Sequence, residues 1–347
     1  MPPRVTYWTG TWDPRKEAIS KEIAALRIGS RRHAPLVGFS PAHANELDLG
    51  ARELRLSHRR WMALRFAAGV VEPLGDVTHV FGGRDSWHLL RAVGRRPVVL
   101  TAVVSDPPGS TPPRMDFARV VVETENERDE WLALGYPADR LAIIRPGIDL
   151  TAFCPVRRPP VHPRRLLFAS TPADPHEIDA RGIPLLVELA RARPDIEIAV
   201  PWRQWGDVAA ARQILDALRP SSNFLVRHDD VTDMRTEFAA ASATIVAFDG
   251  RIGKACPNFV VEGLAMGLPC VATSESGLAP LLAASGAGVI ADRSVAALSR
   301  AVDDLLAGWE VRAARARALA EREFDLSRFR ARYEELYADV AGRREPA

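Results

Sequence analysis

The chain has 347 residues, enough for two domains, with 47% hydrophobic and 26% charged residues, an ordinary balance for a soluble globular protein. A formal net charge of +2 sets no strong electrostatic demand for nucleic acid or an acidic membrane. No run approaches the ~18 apolar residues of a membrane span, the N-terminus lacks an apolar leader core, and Cys154, Cys256 and Cys270 match no zinc spacing, so a cytosolic protein without an integral membrane segment is expected.

The chain opens with a predicted strand at 5–8, a turn at Thr9-Gly10-Thr11 and a helix at 14–27 that turns Ile19, Ile23, Ala24 and Leu26 toward a core. A strand, a glycine turn and a helix open a doubly wound domain. A second strand is expected at 34–39 and a helix with basic residues on one side at 53–67. A strand at 76–81 leads through Gly82-Gly83 to a helix at 86–93, and 97–103 is strongly β-prone. After a strand at 118–122, Glu123-Thr124-Glu125 enters a helix that Gly135 stops. The apolar segment Leu141-Ala142-Ile143-Ile144 then runs into Arg145-Pro146-Gly147-Ile148-Asp149, a tight turn suited to handing the chain to another domain. Residues 154–165, rich in Pro and Arg and without periodicity, read as the linker.

The alternation then repeats. Strands are expected at 166–169, 196–200, 224–227, 243–248, 269–273 and 288–291, with helices at 183–192, 208–218, 234–241 and 258–266, and two more reaching Phe324. The last segment, 326–343, is an amphipathic helix with Phe329, Tyr333, Leu336 and Tyr337 on one side. Short apolar strands between helices argue for parallel sheets covered on both faces, whose ligands bind at the carboxyl ends of the strands.

The most informative stretch runs from Gly253 to Thr273, GKACPNFVVEGLAMGLPCVAT: a polar loop, a helix with Asn258 as its expected N-cap, and a buried strand. The helix start offers the amides of Asn258, Phe259 and Val260 and the positive end of the dipole, a seat for a phosphate. Glu262 follows one turn later on the face of Asn258, placed to accept two hydroxyl hydrogens, as from a ribose. The plainer alternative is an ordinary αβ unit whose glutamate stabilises its own helix by ~0.3–1 kcal/mol.

This stretch resembles the signature of retaining, nucleotide-sugar-dependent glycosyltransferases, the large group typified by glycogen, sucrose and mannosyl transferases. There, a Glu is followed after seven residues by Glu-Ala-Met-Ala-x-Gly-x-Pro-Val-Val. Here the second Glu is Glu262, followed by Gly263-Leu264-Ala265-Met266-Gly267-Leu268-Pro269-Cys270-Val271, and Lys254 stands in the place of the first. The segment Pro146-Gly147-Ile148-Asp149 with Phe153 resembles the close of the first domain in the same family. The resemblance implies an α/β fold of two Rossmann-like doubly wound domains, the GT-B architecture, with the active site in the cleft between them. Residues 1–154 would form the acceptor domain, 155–325 the nucleotide-sugar donor domain, and 326–347 a helix crossing back to the first.

It also implies the chemistry. A sugar would pass from a UDP-, GDP- or dTDP-sugar to a hydroxyl or amine of a small-molecule or glycan acceptor, with retention, no metal or other cofactor, and no nucleic-acid partner. In this family the leaving phosphate often helps to deprotonate the acceptor, so no dedicated base is needed. The family places an Arg after the first strand of the second domain and a Lys before a Gly; here Ala169-Ser170-Thr171-Pro172 lacks the first, and Arg181-Gly182 replaces the second with a charged fork suited to phosphate. Arg203 supplies a second charge or is a surface residue beside Trp202. Gly10 and Thr11 would come near the sugar diphosphate, or form a plain βα turn.

Lys254 has three readings: it binds phosphate or a sugar carboxylate, marks an uncommon donor, or marks lost catalysis. The family His beyond the strand at 98–100 is absent, leaving His79 or Asp106 as substitutes, and Trp8, Trp12, Trp61 and Trp87 are available for stacking on a ring. Asp229-Asp230 and Asp303-Asp304 read as loop or solvated-helix residues rather than a metal pair. A catalytically impaired nucleotide-sugar-binding homologue is the second reading. A sugar-nucleotide epimerase or a phosphorylase on the same two-domain fold is a third reading, of which the phosphorylase is disfavoured, because Lys254 sits on a loop unsuited to pyridoxal phosphate.

Overall fold

The computed structural model describes residues 2–15, 17–28, 34–39, 45–57, 62–84, 86–103, 110–155, 164–172, 174–203, 208–228, 231, 233–250 and 254–342. Trp61, Asp106, Asp229, Asp230, Gly253 and the greater part of the predicted linker lie outside the described residues. The chain divides into two compact units, Met1–Gly147 with Leu326–Ala347, and Ile148–Asp325.

The sheet of the first unit is built from β1 (Val5–Thr9), β2 (Leu36–Phe39), β3 (Glu46–Asp48), β4 (Glu53–Leu56), β5 (Val77–Gly82), β6 (Val98–Ala102), β7 (Arg119–Val122) and β8 (Leu141–Ile143), in the order β3-β4-β2-β1-β5-β6-β7-β8. Every pairing is parallel except β3 with β4. Successive side chains point to opposite faces, so Trp8 and Val80 enter one core while Tyr7 and Phe81 enter the other. The first core is closed by α2 (Leu64–Val71), α3 (Trp87–Ala92) and α4 (Glu125–Ala133), the second by α1 (Ala18–Ile28) and the C-terminal helix Leu326–Gly342. Burial on both faces explains why the central strands read as unbroken apolar runs. At the start of α4, Thr124 and Glu127 form a capping box that satisfies two otherwise orphaned amides.

One expectation is corrected here. Residues 53–67 are not one helix: β4 pairs parallel with β2 before the chain reaches α2. The Glu-Leu-Arg-Leu of β4 has a period of two, and Glu53 is buried because Arg27 Nη1, at 2.6 Å, and Trp12 Nε1, at 2.8 Å, donate to its carboxylate. The short β3 was not expected either.

The second unit contains β9 (Arg164–Leu167), α5 (Glu177–Ala180), α6 (Ile183–Ala192), β10 (Ile196–Pro201), α7 (Val208–Ala217), β11 (Phe224–Arg227), α8 (Met234–Ala240), β12 (Ala243–Val246), α9 (Asn258–Ala265), β13 (Cys270–Thr273), α10 (Ala279–Ser285), β14 (Gly288–Ala291), α11 (Val295–Ala307) and α12 (Trp309–Glu323); the C-terminal helix is α13. Its sheet is parallel throughout, in the order β11-β10-β9-β12-β13-β14. Two Rossmann-like layers of this kind agree with the expected fold. α10 escaped the sequence reading, although Pro280 at its first turn is a start signal. No helix among the described residues is long and apolar enough to cross a membrane.

Candidate functional site

In the second unit β9 lies between β10 and β12, so the strand order reverses there, and open parallel sheets bind ligands at the carboxyl end of such a switch point. The chain leaving β9 buries Ser170 and Thr171; the Thr171 hydroxyl has no hydrogen-bond partner among the described residues. After α5, Arg181 donates from Nε and Nη2 to Glu177 Oε2 at 2.9 and 2.7 Å and from Nη1 to Ser170 Oγ at 2.5 Å. The next residue, Gly182, has φ 73° and lies against the carbonyl of Ala247, just beyond β12. The amide of Asp249 donates to Ala180 O at 3.0 Å, and Arg293 donates to the carbonyls of Asp179 and Ala247 at 2.6 and 3.3 Å. The turn carrying Arg181 is thus clamped onto the carboxyl end of β12.

The start of α9 belongs to the same end of the sheet. Phe259 packs edge-on to Phe168, with ring centroids 5.9 Å apart, and Thr273 Oγ1 donates to Phe248 O at 2.7 Å. The loop before α9 is pressed by Gly277, where a Cβ would stand 2.9 Å from the Ala255 Cα and carbonyl oxygen. Pro257, not Asn258, is the N-cap: its extended ψ of 126° ends the loop, and its carbonyl accepts from Val260 and Val261 at 2.9 and 3.2 Å. Asn258 is the first helical residue, and its Oδ1 accepts from Lys254 Nζ at 3.2 Å. The amides of Asn258 and Phe259 find no acceptor among the described residues, whereas that of Val260 is already engaged. Glu262 is buried one turn further along the face of Asn258. The Lys254 ammonium is thus held on the side chain of the first residue of α9, at the end where the two open amides and the positive pole of the dipole lie, an arrangement that attracts an anion.

The remaining sequence candidates are more dispersed. Arg203 follows β10 and the fully buried Trp202, whose amide donates to Arg227 O at 2.6 Å, and so stands at the end of a strand next to β9 rather than at the switch point itself. In the first unit the order reverses between β1 and β5, and Gly10 and Thr11 sit at the carboxyl end of β1. A Cβ on Gly10 would meet nothing within 4 Å, and Thr9 Oγ1 fixes the turn by donating to Thr11 O at 3.0 Å.

His79 is not a catalytic substitute: it is fully buried, with Nδ1 2.6 Å from Tyr337 Oη and Nε2 2.6 Å from Thr101 Oγ1. Burial holds its pKa well below the ordinary imidazole value. Trp8 and Trp12 are buried, one in each core of the first unit, and unavailable for stacking; Trp87 is exposed, under the guanidinium of Arg91. Buried Cys270 is a core thiol whose pKa desolvation pushes up to about 12.

Ser170, Glu177, Arg293 and Gly277, which hold Arg181 and the α9 loop, were not singled out from sequence. Only Glu177, four residues before Arg181, carried a local signal, as a helical i,i+4 pair.

Residues 186–308 match the family described as glycosyl transferases group 1. Solved structures align over nearly the whole chain. A glycosyltransferase from Rickettsia africae ESF-5 has a TM-score of 0.73 at 14% identity, covering 98% of this chain and 99% of that one. A sucrose-phosphate synthase from Thermosynechococcus elongatus has a TM-score of 0.76 at 15% identity, covering 98% and 99%. Anabaena HepE in complex with UDP has a TM-score of 0.71 at 12% identity, covering 97% and 100%. At such identities the likeness speaks to the fold, which is that of the two-domain GT-B proteins. A sequence search of curated proteins finds no match.

Proposed function

We propose that this chain, a GT-B protein whose residues 186–308 form a group 1 glycosyltransferase domain, transfers a sugar from a nucleoside-diphosphate sugar to a hydroxyl or amine acceptor with retention and without a metal. The carrying observation is the start of α9, where Lys254 Nζ lies 3.2 Å from Asn258 Oδ1 beside the open amides of Asn258 and Phe259. In this reading the donor's diphosphate sits at these groups, and Glu262 accepts hydroxyl hydrogens of the ribose. Arg181, already paired with Glu177, adds little net charge and works chiefly by fixing the turn against β12; Arg203 contributes from its strand end. Stabilising the leaving diphosphate is the main demand of such a transfer, since charge accumulates there as the glycosidic bond breaks. HepE, a structural neighbour, is described as bound to UDP and glucose, which supports a uridine nucleotide as the first donor to try.

A basic residue where the family has an acid favours one second reading, a protein that binds the nucleotide sugar without turning it over. Incubation with a panel of UDP-, GDP- and dTDP-sugars and a broad acceptor set decides between them. Acceptor-dependent release of nucleoside diphosphate, with the product linkage of the donor's anomeric configuration, is the expected result. Saturable binding without release would favour the second reading, and absence of binding across the panel would remove both.

A further inference from the structure

One face of the first unit carries a surface that its own core does not use. α2 turns Leu64, Ala67 and Ala68 inward. Phe66 and Val70 stand outward on α2, 78% and 56% exposed, and the short turns at its two ends add Met62 and Leu74, 72% and 52% exposed. α3 packs against α2 and adds Trp87, 40% exposed, with the Arg91 guanidinium 4.4 Å from its ring centroid. Arg65 and Arg91 are exposed on the same two helices, and Arg95 follows, half exposed and 3.5 Å from Glu72. Within residues 62–75 and 86–96 the only carboxylate is Glu72, and it is buried. Single exposed apolar residues are ordinary on a protein surface; four within 13 residues along α2 and its end turns, beside a half-exposed tryptophan and with no exposed acid in these two segments, mark a contact surface.

We propose that this face of α2 and α3 docks onto an anionic lipid bilayer. The apolar stripe enters the boundary between headgroups and acyl chains, Trp87 sits at headgroup level, and the arginines meet lipid phosphates. Charge selects the bilayer over a second copy of this chain. A two-fold interface would set these arginines against their own images without a counter-charge, whereas an anionic bilayer supplies one. The proposal does not rest on the sugar-transfer reading, and its test does not measure transfer.

The test is flotation of the whole chain with phosphatidylcholine vesicles, either pure or containing about 30 mol% phosphatidylglycerol. The wild type should float with the anionic vesicles at least about tenfold more than with the neutral ones, and less at high salt. Phe66→Ser with Val70→Ser, and separately Arg65→Glu with Arg91→Glu, should each cut that binding about tenfold; thermal melting should be unchanged, because these side chains are exposed. Wild-type protein that does not float with anionic vesicles would overturn the proposal. So would serine variants that float as well as wild type, or a wild-type dimer that does not float and that the serine pair converts to monomer.

Discussion

A methyl group on the α-carbon of Gly182 would stand 2.0 Å from the carbonyl oxygen of Ala247, so the turn bearing Arg181 meets the end of β12 backbone to backbone. The left-handed φ of 73° adds a second demand for glycine. Gly182→Ala should therefore destabilise the second unit by at least about 2 kcal/mol and weaken nucleotide binding with it. Urea denaturation and a nucleotide titration check this; a stable, fully binding variant would mean that the turn is not clamped as described.

The head of α9 makes a prediction about sign. Lys254→Glu restores the family's residue but reverses the charge beside the open amides of Asn258 and Phe259. Nucleoside-diphosphate affinity should fall at least about tenfold, or ~1.4 kcal/mol, by isothermal titration. Tighter binding would reassign Lys254 away from the phosphate. Glu262→Ala should also weaken nucleotide binding, by roughly 1–3 kcal/mol for the lost hydroxyl bonds, and should affect a deoxyribose nucleotide less.

Acid should loosen the first unit through His79. Its folded-state pKa is depressed well below the ordinary 6.5 by burial, so the unfolded chain binds the extra proton. The associated stability is fully present above about pH 6.5 and is lost as pH falls from there toward the folded value, by at most ~1.4 kcal/mol per pH unit. Urea midpoints measured from about pH 7.5 down to about pH 5.5 should drop more steeply for the wild type than for His79→Gln. Parallel slopes would assign the acid sensitivity to another group.

Ending the chain at Asp325 removes α13, whose Phe329, Tyr333, Leu336, Tyr337 and Val340 are buried in a core of the first unit. At about 1.5–3 kcal/mol for each large apolar side chain, the loss rivals the whole stability of a typical domain. The truncated chain should be insoluble, or rapidly cut within its first unit in limited proteolysis. A soluble, protease-resistant product would show that α13 is dispensable.

What the sequence alone determined was local. Strand and helix alternation, the helix entered at Glu123-Thr124-Glu125, and the helix start near Asn258 all follow from periodicity and cap chemistry within a few residues. The spacing of Asn258 and Glu262 was legible for the same reason, since one helical turn brings i and i+4 together. What needed the tertiary structure depends on distant partners. Residues 53–56 form a strand because Arg27 and Trp12 neutralise and bury Glu53, across 26 and 41 residues. His79 is a core group because Tyr337, 258 residues away, closes over it. Arg181 is no free cation because Glu177 and Ser170 share it, and Pro257 replaces Asn258 as the cap because its extended backbone ends the loop one residue earlier. Periodicity records which face of an element is buried; which groups meet across that burial, and whether they cancel one another's charge, is decided only when the chain closes.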